Sequence, residues 1–161
     1  MKSLRFYRKC NYAVAVLLIL LLSGLVGCST SGPVERSIVR LAREQCRNQT
    51  PCQIRIEQAT AFSWDKMYAF KYTATSKDRD AALGVKDEGY RELERQLVFL
   101  KDGKIVYQES EPTNVEHLVR NEVVFDMPDD AFFRSYPLGT VFSATVLSST
   151  AGPYYRLTPA K

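Results

Sequence analysis

The first 27 residues decide how much of this chain is available to fold. Met1 to Lys9 carries Lys2, Arg5, Arg8 and Lys9 and no acid, Ala13 to Leu22 is unbroken apolar sequence, and Ser23-Gly24 leads into Leu25-Val26-Gly27-Cys28. A positive start, a short apolar stretch and a small residue at the cut describe an export signal that is removed. The apolar stretch is short for a membrane span, which needs ~20 residues. The folding unit is then 134 of the 161 residues, enough for one hydrophobic core. Charge follows the same division. The signal takes four of the 22 basic residues and none of the 18 acidic ones, so the remainder carries 18 of each. The excess of +4 therefore belongs to the signal, and the electrostatic footprint of a nucleic-acid binder is missing.

Leu25-Val26-Gly27-Cys28 resembles a bacterial lipobox: Leu, a small or apolar residue, Gly or Ala, then Cys. The chain is thereby similar to a bacterial lipoprotein precursor. The resemblance implies cleavage before Cys28, a thioether-linked diacylglycerol on its sulfur and an acyl chain on its new amino group. Several acyl chains anchor stably where one would be marginal. Ser29 follows, not the Asp that favours inner-membrane retention. The implied place is the periplasmic face of the outer membrane. The expected organisation is signal 1–27, lipidated tether 28–32 and a single domain over 33–161.

Cys10 leaves with the signal and Cys28 takes the lipid, so Cys46 and Cys52 remain. An exported compartment is oxidising, which predicts a disulfide closing a small loop around Pro51. A redox pair would want the tighter C-x-x-C spacing, and a metal would want more ligands than a chain with one His supplies.

Pro33 suits a first helical turn, and Val34, Ile38, Leu41 and Ala42 recur at helical spacing, predicting an amphipathic helix to about Cys46. Arg36, Arg40, Arg43 and Arg47 form a stripe on another face, diluted by Glu35 and Glu44. The stripe either meets anionic headgroups beside the anchor or is a solvated face. Gln53–Ala59 alternates as a strand, and Tyr68, Phe70 and Tyr72 suggest a second. Thr75 and Asp78 resemble a capping box ahead of a short helix ending near Leu83, with Gly84 as its C-terminal stop. Lys86–Glu94 reads as a charged loop. Leu97–Leu100 and Ile105–Tyr107 flank Asp102-Gly103, the signature of a tight hairpin. A strand over Val115–Asp126, a short helix over Pro128–Ser135, and closing strands at Val141–Leu147 and Tyr154–Leu157 complete the expectation. The fold class is α+β, an N-terminal amphipathic helix packed on a mostly antiparallel sheet.

Trp64-Asp65-x-x-Tyr68-x-Phe70, Leu83-Gly84 and Val98 to Tyr107 together are similar to a pattern in small, mostly uncharacterised secreted and lipidated bacterial proteins. The likeness spans residues 60–108 and implies no activity. Its physics is architectural: Trp64 fills a core with its N–H partnered, and Asp65 caps a turn.

Little in the chain promises chemistry. His117 is the sole histidine, no G-x-S-x-G segment exists, and the glycines form no phosphate loop. Asp126, Asp129 and Asp130 lack the register of a calcium loop. Asp87-Glu88, Glu92-Glu94 and Asp129-Asp130 read as solvated charge. Tyr90, Tyr136, Tyr154 and Tyr155, beside turns, suit a protein-binding surface. The expectation is a non-enzymatic lipoprotein with no cofactor and no metal. It would bind a periplasmic protein, for example as an immunity protein against a cell-wall-degrading toxin. The alternatives are an assembly factor (pilotin) of a secretion system and an envelope glycan hydrolase.

Overall fold

The computed structural model describes residues 31–112 and 120–160. Cys28, His117 and the proposed tether up to Thr30 lie outside them. Among the described residues, two helices and eight strands in two sheets give an α+β architecture with a β-sheet core. In chain order these are α1 (Pro33–Gln45), β1 (Cys52–Arg55), a 3-10 turn (Ile56–Ala59), β2 (Lys66–Phe70), α2 (Ser76–Leu83), β3 (Glu94–Lys101), β4 (Lys104–Pro112), β5 (Val123–Phe125), β6 (Phe133–Pro137), β7 (Val141–Ser149) and β8 (Gly152–Pro159).

The strands divide into sheet I, ordered β1-β7-β8-β5, and sheet II, ordered β4-β3-β2-β6. Every pairing is antiparallel except β5 with β8, which is parallel. One buried cluster joins inward residues of sheet I (Ile54, Phe142, Leu157) to those of sheet II (Met67, Leu97, Phe99) and to Val34, Ile38 and Ala42 of α1. A second cluster lies on the other face of sheet II, where Tyr68, Phe70, Val98 and Leu100 meet Leu83 of α2. Sheet II is thus covered on both faces. That explains why Leu97–Leu100 is uninterrupted apolar sequence rather than alternating.

The hairpin forms as its sequence dictates. Asp102 and Gly103 both adopt positive φ (50° and 72°), which joins β3 to β4 without splaying them. Asp65 holds this turn from outside, its Oδ2 accepting the Asp102 amide at 2.7 Å. Phe99 faces Tyr107 while Leu100 faces Ile105, so Val106 is an extra, bulged residue on β4. The Thr75–Asp78 capping box opens α2, with Asp78 Oδ2 accepting the Thr75 amide at 3.0 Å. Cys46 and Cys52 are bonded, tying the end of α1 to the start of β1.

Several expectations are corrected. The strand expected over Gln53–Ala59 stops at Arg55 and tightens into the 3-10 turn, which buries Ile56 and Ala59. The strand carrying Tyr68 and Phe70 ends before Tyr72. Of the strand expected over Val115–Asp126, residues 115–119 lie outside the described residues, and within 120–126 the strand covers Val123–Phe125. The helix expected over Pro128–Ser135 is instead a turn followed by β6. Phe133 packs on Phe70 (centroids 5.5 Å apart), while Tyr136 points to the opposite face against Phe142 (4.9 Å). Residues three apart share a helix face but take opposite strand faces, so the two clusters they fill require a strand.

Candidate functional site

β4 places Tyr107, Glu109 and Glu111 on one face, two residues apart, beneath the first turn of α1. That turn starts at Gly32, which has no capping side chain. Glu109 serves as the cap instead. Its carboxylate accepts the Val34 amide at 2.9 Å, the Glu35 amide at 2.8 Å and the Tyr107 hydroxyl at 2.9 Å. The Gly32 amide donates to Glu111. Negative charge at a helix N-terminus also favours the macrodipole. The approach is close enough that a Cβ on Gly32 would lie 2.5 Å from the Glu109 carboxyl carbon, so any larger residue there would push the capping carboxylates aside.

Glu35 continues the network across to sheet I. It is 2% exposed, and its Oε1 accepts the Val123 amide of β5 at 2.6 Å. Arg95 of β3 pairs with Glu35 at 3.5 Å and Glu122 at 3.3 Å and donates to the Val123 carbonyl at 2.7 Å. Two side chains thus occupy the open edge of β5 where another strand would pair. Two of the four buried carboxylates, Glu35 and Glu122, pair directly with the one guanidinium. Burial pushes the Glu35 carboxyl up despite Arg95 and the Val123 amide. Burial, reinforced by the Glu35 charge, pushes Glu111 up to about 7. Tyr107 is raised as well, first by burial and then by its bond to Glu109.

Beside this network lies a cavity of about 120 Å³ between β2 and β3 on one side and β5 on the other. Ala69, Leu97, Phe125 and Met127 form apolar walls, and Glu35, Arg95 and Glu111 close one end. The space suits one small apolar group or a few waters.

A second buried charge pair sits on the far side of sheet II. Arg79 of α2 is 1% exposed, is paired with Asp87, and lies 4.6 Å from the Phe70 ring and 5.4 Å from the Tyr90 ring. Asp87 Oδ1 also accepts the Gly89 amide at 3.0 Å. This corrects the solvated reading of Asp87. Glu88 remains at the surface, paired with Lys86 at 2.9 Å. Glu92, Asp129 and Asp130 are exposed, and Glu94 is half-buried.

The tyrosines need correcting too. Tyr136, Tyr154 and Tyr155 are buried rather than presented on loops, and only Tyr90 of that group is half-exposed. Trp64 is a core residue, its indole N–H donating to Thr60 Oγ1 at 3.0 Å. Arg36, Arg40, Arg43 and Arg47 are all exposed. Sequence reasoning does not find the converging glutamates. The signal that marks them is Tyr107-x-Glu109-x-Glu111, a charged alternate face on a strand paired with the apolar run Leu97–Leu100.

Chemically, each carboxylate of the network except Glu122 is committed to a backbone amide, and Glu122 to Arg95. Among the described residues, no group of His, Cys, Asp and Glu is placed to hold a metal ion. Among them, too, no helix is long and apolar enough to cross a membrane. Comparison with protein-family models, with curated proteins and with solved structures returns no match.

Proposed function

We propose that this chain is the precursor of an outer-membrane-anchored periplasmic lipoprotein that binds a protein partner and performs no catalysis. The anchor rests on Leu25-Val26-Gly27-Cys28 behind an export-type leader. The binding role rests on one observation: the buried acids that could do chemistry are spent on holding amides of α1 and β5. An immunity protein against a cell-wall-degrading toxin is the concrete version, presenting a rigid domain whose loops close the toxin's cleft.

Two measurements test the reading. Metabolic labelling with a palmitate analogue should mark the chain and fail on Cys28→Ser. Affinity capture with the mature chain, extracted in mild detergent, should yield one stoichiometric envelope protein. Met127→Arg, at the rim of the cavity, should show whether that face is used. Recovery of no partner at equal expression would count against binding.

A second reading is favoured by one observation. Glu111, with a carboxyl near 7 beside an apolar cavity, has the proton affinity of a general acid, as in an envelope glycan hydrolase. Release of soluble fragments from peptidoglycan, abolished in Glu111→Gln with the fold intact, would establish hydrolysis. Binding predicts no release from either protein.

A further inference from the structure

The structure sorts the charges around α1 by sign. Glu35 on the helix, Glu109 and Glu111 on β4, and Glu122 just before β5 are all buried. Arg36, Arg40 and Arg43 are all exposed. At 100° per residue they fall within about 60° of arc, opposite the buried stripe of Val34, Ile38 and Ala42. Arg47 follows just past the helix end, also exposed. Arg43 is pinned across to β8 and the chain before β5, donating to Tyr155 Oη at 3.0 Å and to Asn121 Oδ1. Exposed Arg120 is next in sequence, so the patch extends beyond the helix. Glu44 is the one acid on the exposed side of α1. A chain whose mature part has equal numbers of acids and bases thus has a face that is strongly positive.

We infer that this face of α1 docks on the anionic phospholipid headgroups of the leaflet that carries the anchor, laying the helix along the membrane surface. The inference rests on the lipid-anchor reading for its location. Cys28 precedes Pro33 by five residues, at most about 18 Å of extended chain. The α1 helix is itself about 20 Å long. So short a tether keeps the first turn of α1 within about 18 Å of the surface, from where the arginines reach the roughly 8 Å Debye length over which attraction to anionic lipid acts.

The test uses the mature lipidated protein reconstituted in phosphatidylcholine vesicles with and without phosphatidylglycerol. Flotation first reports anchoring. Phenylglyoxal then modifies accessible arginines, read residue by residue by mass spectrometry, with exposed Arg91 on the loop after α2 as reference. Docking predicts that Arg36 and Arg40 react at least about threefold more slowly on anionic vesicles than on neutral ones, with Arg91 unchanged. Raising salt to about 0.5 M should abolish the difference. Flotation with equal reactivity on both vesicles would overturn docking and leave the anchor standing. Failure to float would overturn the anchor and docking together. Protection on neutral vesicles that appears only with soluble envelope extract would reassign the face to an acidic protein and overturn the lipid assignment.

Discussion

Glu109 caps a helix from 74 positions away: its Oε1 accepts the amide of Glu35 at 2.8 Å. The cap is a carboxylate from a neighbouring strand, because Gly32 offers no side chain of its own. Glu109→Ala strands two buried amides and the Tyr107 hydroxyl. A loss of about 2–3 kcal/mol in unfolding free energy is expected by denaturant titration. Glu109→Gln keeps one acceptor oxygen and should cost about half as much.

Stability should fall as pH rises from about 4.5 to about 7. Glu111 holds its proton up to about 7 in the fold and titrates near 4.5 when unfolded. The folded state therefore binds more protons between those values. That contribution is complete below about 4.5 and is lost by about 7, and after solvent screening amounts to about 1–2 kcal/mol. Glu35 shifts in the same direction. Glu111→Gln keeps an acceptor for the Gly32 amide without the charge. It should match the parent at pH 5 and exceed it in melting temperature at pH 8. Parallel pH profiles for the two proteins would refute the assignment.

Arg79→Met should destabilise by about 3–5 kcal/mol, since it leaves Asp87 buried without its partner. Adding Asp87→Asn removes the stranded charge and still accepts the Gly89 amide. The double variant should recover at least half of the loss, measured in the same denaturant series.

Replacing Cys46 and Cys52 together with Ala opens a loop of sequence separation six and should cost about 2 kcal/mol. Because Cys46 ends α1, hydrogen exchange should quicken in the last turn of that helix before it does in β3.

Local signals were legible in the sequence. Asp102-Gly103 makes its turn from its own backbone preferences, and Thr75 with Asp78 caps α2 across three residues. The β5–β8 parallel pair and the glutamate network were not. Their partners lie far apart in sequence, as with Gly32 and Glu111 or Glu35 and Val123. Nothing local in Glu109 distinguishes a buried strut from a solvated charge. The helix expected over Pro128–Ser135 failed for the same reason. Phe133 and Tyr136 fill different clusters, and that demand comes from the sheets and not from the segment.

The two ends of α1 are fastened to different sheets: the first turn to β4 of sheet II through Glu109 and Glu111, the last to β1 of sheet I through the disulfide. Tension arriving along the chain before Ser31 therefore has no single strand to peel. It falls first on the carboxylates of Glu109 and Glu111 that hold the Gly32, Val34 and Glu35 amides, and the disulfide waits a helix length further along the chain.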